Sequence, residues 1–251
     1  MKIAIVTGGS NGIGKATALE LGKCGVGVIL TYHSNREGAE DVVREIKENT
    51  TARAVALKLD LSQKPSFEDF AQAVKGSLQE VWHRTTFDYL VNNGGVGGGM
   101  AFTEMSKQYF DHIFNTNFKG PLFLTQQLVR FMEDGGSIVN TSSSSSSRAF
   151  LGYSVYGSSK AALSSWTFYI AKEFAPRRIR VNAVSPGPTH TNLSDGAFDK
   201  NPEFGRMLGA ETALGRIGRP EDIAKVIVEL LSEDFGWVTA QDIEISGGHL
   251  L

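Results

Sequence analysis

A single cysteine, Cys24, in 251 residues leaves no internal disulfide framework and no multi-cysteine zinc site. Neither sign of charge is in excess. With 25 Lys+Arg against 27 Asp+Glu, the formal net charge of −2 gives no footprint for nucleic acid or an anionic membrane. No segment approaches the ~18 uninterrupted apolar residues of a membrane span. The opening Met1-Lys2-Ile3-Ala4-Ile5-Val6-Thr7 lacks the apolar core and cleavage site of a signal peptide. These absences predict a cytoplasmic protein with no nucleic-acid and no membrane partner. The ordinary fractions of hydrophobic (41%) and charged (21%) residues exclude wholesale disorder.

What the chain does have is glycine. The 28 glycines make up about 11% of it, against ~7% on average, and they cluster. Short apolar runs rich in Val and Ile recur at residues 3–6, 26–30, 54–59, 89–91, 137–140, 179–184 and 243–245. Each is apolar on both faces, as strands buried on both sides of a parallel sheet must be. Amphipathic stretches such as 38–48, 67–82 and 221–231 lie between them. Pro65 and Pro220 stand near two of their starts, where a missing N–H does least harm. This alternation predicts right-handed βαβ crossovers and a Rossmann-type, doubly wound parallel sheet of seven strands with helices on both faces. Six serines at 142–147 follow a strand directly and need not divide domains. The expectation is one α/β domain over residues 1–251.

The first cluster, Thr7-Gly8-Gly9-Ser10-Asn11-Gly12-Ile13-Gly14, joins the first strand to a helix beginning at Lys15-Ala16-Thr17. Glycine lets the chain turn tightly and lets backbone approach a ligand, and a helix N-terminus offers free N–H groups to a phosphate. A plain strand-to-helix turn is the alternative; the strand–loop–helix context favours dinucleotide binding. After the second strand come Thr31-Tyr32-His33-Ser34-Asn35-Arg36, with no acid before Glu37. An acid there would hold the ribose 2′-hydroxyl of NAD and repel a 2′-phosphate. The hydroxyls of this segment, with His33 and Arg36 beside Tyr32 and Ser34, therefore point to NADP(H) rather than NAD(H), the alternative being a polar loop without a ligand.

Tyr156 and Lys160 are four residues apart, which on a helix places both on one face, roughly 5–6 Å apart at Cβ. A phenol has a reference pKa of about 10. An ammonium beside it favours the phenolate, giving a pair that can exchange a proton near neutral pH, as carbonyl/alcohol interconversion requires. An ordinary surface pair is the other reading. Thirteen residues before Tyr156, Ser143 ends an apolar run and should emerge at the C-terminal edge of the sheet, where such folds bind ligands.

The TGxxxGxG loop with Ser143, Tyr156 and Lys160 resembles the cofactor loop and active site of the short-chain dehydrogenase/reductase family, its 3-oxoacyl-carrier-protein-reductase-like members in particular. Further segments match in order: Asn92-Asn93-Gly94-Gly95, Asn117-Phe118-Lys119-Gly120, Pro186-Gly187-Pro188-Thr189-His190-Thr191, Gly215-Arg216-Ile217-Gly218-Arg219-Pro220-Glu221-Asp222 and Ser246-Gly247-Gly248. The resemblance implies that Tyr156 is the general acid/base and that Lys160 lowers its pKa and holds the nicotinamide ribose. It implies that Ser143 hydrogen-bonds the substrate oxygen and that Asn117 supports a water relay to Lys160. Implied cofactor contacts come from Gly8, Ser10, Asn11, Gly12, Ile13 and Gly14, and from Asp60 near the adenine with Leu61 beside it. Others come from Asn93, Gly94 and Gly95, and from Pro186, Gly187, Thr189 and Thr191 at the nicotinamide end. Asp60 has turn capping as its alternative role. The implied activity is hydride transfer between NADP(H) and a ketone, 3-oxoacyl or secondary-alcohol substrate, in a homotetramer. Two competing readings are a non-catalytic NADP-binding regulatory or scaffold protein on the same fold and an NAD-linked alcohol dehydrogenase.

Some features depart from the family pattern. Gly94 replaces the usual alanine and opens a glycine-dense loop at 94–99, either a pliant wall for a bulky substrate or a loosened surface loop. Arg178 and Ala240 stand where glycine is customary. With Arg177 and Arg180, Arg178 could grip an acidic partner such as an acyl carrier protein or simply form a solvated strand edge. A mobile lid is expected over 192–211, carrying Phe198, Phe204, Met207 and Leu208. Tyr153 reads as pocket lining, Cys24 as a small core residue, and His33 and His190 lack metal-ligand spacing.

Overall fold

The computed structural model describes residues 1–63, 66–194 and 196–251. Pro65, expected near a helix start, and Asp195, inside the expected lid, lie outside the described residues. Seven parallel strands form one sheet: β1 (Ile3–Val6), β2 (Gly27–Tyr32), β3 (Ala54–Lys58), β4 (Phe87–Asn92), β5 (Met132–Thr141), β6 (Arg180–Pro186) and β7 (Asp242–Ile245). Their spatial order is β3-β2-β1-β4-β5-β6-β7. The chain builds outward from β1 to β3 and then crosses back to β4. The segments leaving the C-terminal ends of β1 and β4 therefore part to opposite sides and leave a crevice.

Alternation along the buried strands feeds two cores. Ala4 and Val6 of β1 join the face covered by α1 (Gly12–Lys23), α2 (Arg36–Asn49) and α9 (Pro220–Leu231). Ile3 and Ile5 face the opposite way, toward α3 (Ser66–Trp82), α5 (Gly120–Leu128) and α6 (Ser154–Phe174). Helix α2 shows the logic of sequence spacing: Ala39, Val42 and Ile46 share one face and are all buried. Each such aliphatic side chain contributes roughly 1.5–3 kcal/mol by leaving water. Helix α9 starts where the sequence placed it, with Pro220 in its first turn. Asp222 accepts the Arg219 N–H at 2.8 Å and both arms of the Arg216 guanidinium at 2.6 and 3.0 Å. That guanidinium pulls the Asp222 carboxyl down to about 2.

The structure extends several strands beyond their apolar runs. Strand β5 begins at Met132 opposite Phe87, passes exposed residues through Gly135, and resumes regular pairing at Ser137 opposite Tyr89 after a register shift. The polar and glycine residues within that shift carry no hydrophobic signal.

Two of the three arginines are spent within the protein, while Arg178 is exposed. The Arg177 guanidinium bonds Asp134 at 2.7 Å, the Val129 carbonyl at 2.7 Å and the Met132 carbonyl. Arg180 donates to the carbonyls of Leu230, Leu231, Ser232 and Val238, capping the end of α9. Arg178 and Ala240 both hold φ at 55°, the left-handed conformation for which glycine is customary. Cys24 is not a core residue: it is the exposed C-cap of α1, its thiol pushed upward by partial burial and by Glu20.

Candidate active site

The crevice between β1 and β4 is closed by backbone. Thr7 Oγ1 accepts the N–H groups of Asn93 at 2.9 Å and Gly94 at 2.8 Å, and Asn93 Nδ2 donates to the Thr7 carbonyl at 3.0 Å. From the other side Thr31 of β2 takes the Gly8 N–H on its hydroxyl and the Gly9 N–H on its carbonyl. Gly8 has φ at +66°, and a Cβ there would stand 2.8 Å from the Gly94 Cα. A Cβ on Gly14 would overlap the Gly8 carbonyl. The loop is thus flattened against its neighbours. Asn11 makes no side-chain cap, so the first N–H groups of α1, at Gly12, Ile13 and Gly14, keep their role as anion donors. Thr191 packs within 3.4 Å of where a Gly12 Cβ would lie, which brings the 186–191 segment to the same loop. Gly187 is held by the Ile245 carbonyl, and Thr189 Oγ1 donates to the Gly187 carbonyl. A cradle this free of side chains fits a dinucleotide pyrophosphate.

Where the adenine is expected, His33 Nε2 lies 3.6 Å from Asp60 Oδ2, just beyond Tyr32 at the end of β2. Asp60 also accepts both the backbone and side-chain donors of Ser62, so it does cap a turn. Burial raises its pKa and the Ser62 bonds lower it, with a lowered result. Leu61 packs against Gly94. Arg36 is turned onto the outer face of α2, paired with Glu40 at 2.6 Å. Asn35 caps α2 at Gly38, whose Cα side faces the Ser10 carbonyl. Expected to suit a 2′-phosphate, the Arg36 guanidinium is engaged instead by Glu40, while Asn35 and the Ser10 carbonyl meet at Gly38.

Ser143, Tyr156, Lys160 and Asn117 are brought together and buried, at 8%, 7%, 5% and 0% exposure. The serine run is divided in labour. Ser142 ties β5 to α6 through the Lys160 carbonyl at 3.0 Å and Ser164 at 2.7 Å. Ser143 caps the short turn that follows, accepting the Ser145 N–H, and its hydroxyl acts on the Tyr156 phenol in the sense that favours the phenolate. Asn117 sits in a single π-helical turn (Asn115–Lys119) between α4 (Lys107–Phe114) and α5. Its amide clamps both backbone groups of Val96 at 2.9 Å and reaches Ser159 at 3.3 Å.

The electrostatics correct one expectation. Burial pushes the Tyr156 phenol up to about 12, opposed by the Ser143 bond and slightly reinforced by Tyr153. Lys160 does not lower it in this arrangement. Its Nζ donates to the Thr141 carbonyl at 2.8 Å, 5.9 Å from the Tyr156 ring centre, and burial brings the ammonium down to about 8. Burial, which disfavours the charged form of each group, dominates both shifts.

Sequence reasoning did not foresee Thr7 and Thr31 as the fasteners of the glycine loop, nor Tyr109, whose hydroxyl bonds the Gly98 carbonyl at 2.8 Å. Threonine and tyrosine at strand ends or on a helix carry no local signature for such distant partners. Tyr153 lines the site as expected, its ring edge-on to Tyr156 at 6.0 Å. Phe198 and Phe204 stack on one another, and Phe198 stacks on His190, which pairs with Asp199 at 3.0 Å. Met207 is exposed and Leu208 half-buried, so the aromatic lid residues are partly used to hold the lid itself.

Residues 8–249 match the family described as Enoyl-(Acyl carrier protein) reductase. An uncharacterized oxidoreductase of Methylorubrum extorquens is 38% identical over 247 residues, covering 98% of this chain and 97% of its own. The hydroxynaphthalene reductase-like protein Arp2 of Metarhizium brunneum is 33% identical over 98% of this chain and 94% of its own. Among solved structures, the promiscuous reductase LugOII, which catalyses keto-reduction at C1 during lugdunomycin biosynthesis, superposes with a TM-score of 0.95 at 35% identity, covering 100% of this chain and 98% of that one. The angucycline C-6 ketoreductase LanV with bound NADP gives 0.94 at 34%, covering 99% and 95%. With the fold, the glycine cradle and these relatives in agreement across the whole chain, the protein is an oxidoreductase of the short-chain dehydrogenase/reductase family.

Proposed function

We propose that the protein is an NADP(H)-dependent carbonyl reductase in which Tyr156 protonates the substrate oxygen. The observation that carries this reading is the buried cluster of Ser143, Tyr156 and Lys160, with Lys160 one helical turn from Tyr156 and beside Gly95 of the glycine-rich crevice. When bound, NADPH supplies the hydride for the carbonyl carbon. A phenol held up near 12 stays protonated at neutral pH, which suits it to donate from Oη to an oxygen gaining negative charge. Ser143 Oγ, buried with that phenol, orients the same oxygen. Lys160 keeps a positive charge next to the proton donor and is the buried donor available to ribose hydroxyls. Asn117 holds the wall through Val96, and the expected water relay from it to Lys160 belongs to this reading. His33 and Ser34, with Tyr32, form the polar end suited to a 2′-phosphate.

The substrate we infer is a ring ketone. LugOII and LanV are named for keto-reductions, and Arp2 for hydroxynaphthalene reduction. In support, the surroundings of Tyr156 are apolar and aromatic: Ile113, Val155, Val96, Met105, Phe114 and Tyr153 pack around it. A homotetramer is the assembly we propose. Phe110 on α4 and Phe168 and Tyr169 on α6 leave apolar surface exposed on adjacent helices. No helix among the described residues is long and apolar enough to cross a membrane, and a cytoplasmic location accords with the single cysteine.

The test is an initial-rate assay with NADPH and NADH at equal low concentration, over 1-tetralone, cyclohexanone and acetoacetyl thioester. Faster NADPH oxidation with the bicyclic ketone is expected. A preference for NADH overturns the cofactor assignment, and tight NADPH binding without turnover favours a regulatory protein.

A further inference from the structure

The glycine run at 94–99 is neither loose nor pliant. It is extended and pinned at every second residue. Gly94 N–H is held by Thr7, both backbone groups of Val96 by Asn117, the Gly98 carbonyl by Tyr109, and the Met100 N–H by the Gly152 carbonyl. The residues between these pins are glycines that other elements press upon. A Cβ on Gly95 would lie 3.0 Å from Asn117 Oδ1 and 3.5 Å from Lys160 Nζ. One on Gly97 would lie 3.0 Å from Leu193 Cγ and 3.1 Å from the Leu193 carbonyl, at the start of the lid. One on Gly99 would lie 3.2 Å from the Tyr153 ring. Such distances are tighter than ordinary carbon contacts, so the neighbour would have to give way by a few tenths of an ångström.

We propose that Gly97 and Gly99 are specificity-determining positions: a side-chain-free wall on which the lid, through Leu193, and Tyr153 seat at contact distance. The inference rests on the carbonyl-reductase reading and deepens it. A wall of peptide groups lets Leu193 and Tyr153 seat without an intervening side chain, and a lid and ring held that close to the site favour a thin, planar ring ketone over a branched or bulky one. Pinning at alternate residues keeps the wall from yielding, because each displacement would break a backbone hydrogen bond. An added methyl at 97 must therefore move the lid, not the loop.

The experiment compares the wild type, Gly97→Ala, Leu193→Ala and the double variant Gly97→Ala/Leu193→Ala. Three readouts are taken: kcat/KM for 1-tetralone relative to cyclopentanone, NADPH binding by nicotinamide fluorescence, and hydrogen exchange of lid residues 192–211. For Gly97→Ala the expected ratio falls about tenfold, carried by KM, in the range that one methylene commands in a fitted pocket. Lid exchange accelerates, NADPH affinity is retained, and Leu193→Ala in the double variant restores most of the ratio. An equal loss on both ketones, an unchanged ratio, or no rescue by Leu193→Ala overturns the proposal. If Gly97→Ala does not fold, Leu193→Ala alone decides: the wider cleft should favour 2,2-dimethyl-1-tetralone relative to 1-tetralone, and no change in that preference overturns it. Wild-type protein that oxidises NADPH with neither ketone overturns the carbonyl-reductase reading instead. Lid exchange then tests the seat by itself, and exchange unchanged in Gly97→Ala counts against it.

Discussion

Two glycine-rich loops meet at the centre of this molecule, and they use the same residue for different ends. The loop after β1 is compressed so that backbone donors are left over for a ligand: a Gly14 Cβ would overlap the Gly8 carbonyl, and Asn11 leaves the start of α1 uncapped. The run at 94–99 is stretched, its hydrogen bonds spent on Thr7, Asn117, Tyr109 and Gly152, and its glycines answer to side chains arriving from elsewhere. The first loop is organised by what it binds and the second by what packs on it. Glycine content alone does not tell the two apart; the destination of each backbone N–H does.

That contrast makes the largest prediction a separation of ligands. Gly14→Ala should weaken NADPH binding by about 10- to 100-fold, the equivalent of an overpacking penalty of ~1–3 kcal/mol expressed at the cradle. A fluorescence titration checks this, and a Kd within a factor of two of wild type would show that the cradle is slack.

A smaller effect concerns the charge beside Gly95. The Lys160 ammonium is held down to about 8, so kcat/KM for reduction should decline as the pH rises through about 8 and the lysine loses its proton. Stability moves oppositely. A lysine whose folded pKa lies below its unfolded value of about 10.5 is destabilising while charged. The penalty is complete below about pH 8 and fades as the pH climbs toward 10.5. Lys160→Met should therefore exceed wild type in urea midpoint by more at pH 7 than at pH 10. A constant difference across that range contradicts the burial argument.

The smallest effect lies outside both loops. Ala240 sits in the left-handed region at φ 55°, so Ala240→Gly should raise the unfolding free energy by about 1 kcal/mol. Urea denaturation checks it, and a loss of stability would mean that the Ala240 methyl makes packing contacts worth more than the strain.

The fold was legible where apolar residues announced burial. Runs such as 3–6 and 54–59 became β1 and β3 almost unchanged, because strands flanked by helices must be hydrophobic on both faces. The first residues of β5 were not, since Glu133, Asp134 and Gly135 are exposed and fall within its register shift. Tyr156, Lys160, Ser143 and Asn117 were readable because chemistry fixes their identity and the helix fixes their spacing. The direction of the Tyr156 shift was not, because it is set by the burial of the phenol in the packed fold. Arg177 and Arg180 looked like free charge for a similar reason. Their carbonyl partners lie 45 to 58 residues away in the chain, beyond any local pattern. Gly97 was visible as a glycine, but the meaning of that glycine arrives only with Leu193.

The account stands most directly on the proton that Tyr156 is to give. Tyr156→Phe keeps the ring and its place beside Tyr153 and removes only the hydroxyl. Single-turnover reduction of 1-tetralone by this variant, with NADPH binding measured alongside, should show an unchanged Kd and a rate lower by ~10²–10⁴-fold. A rate within a few-fold of wild type, at equal NADPH occupancy, would contradict the assignment.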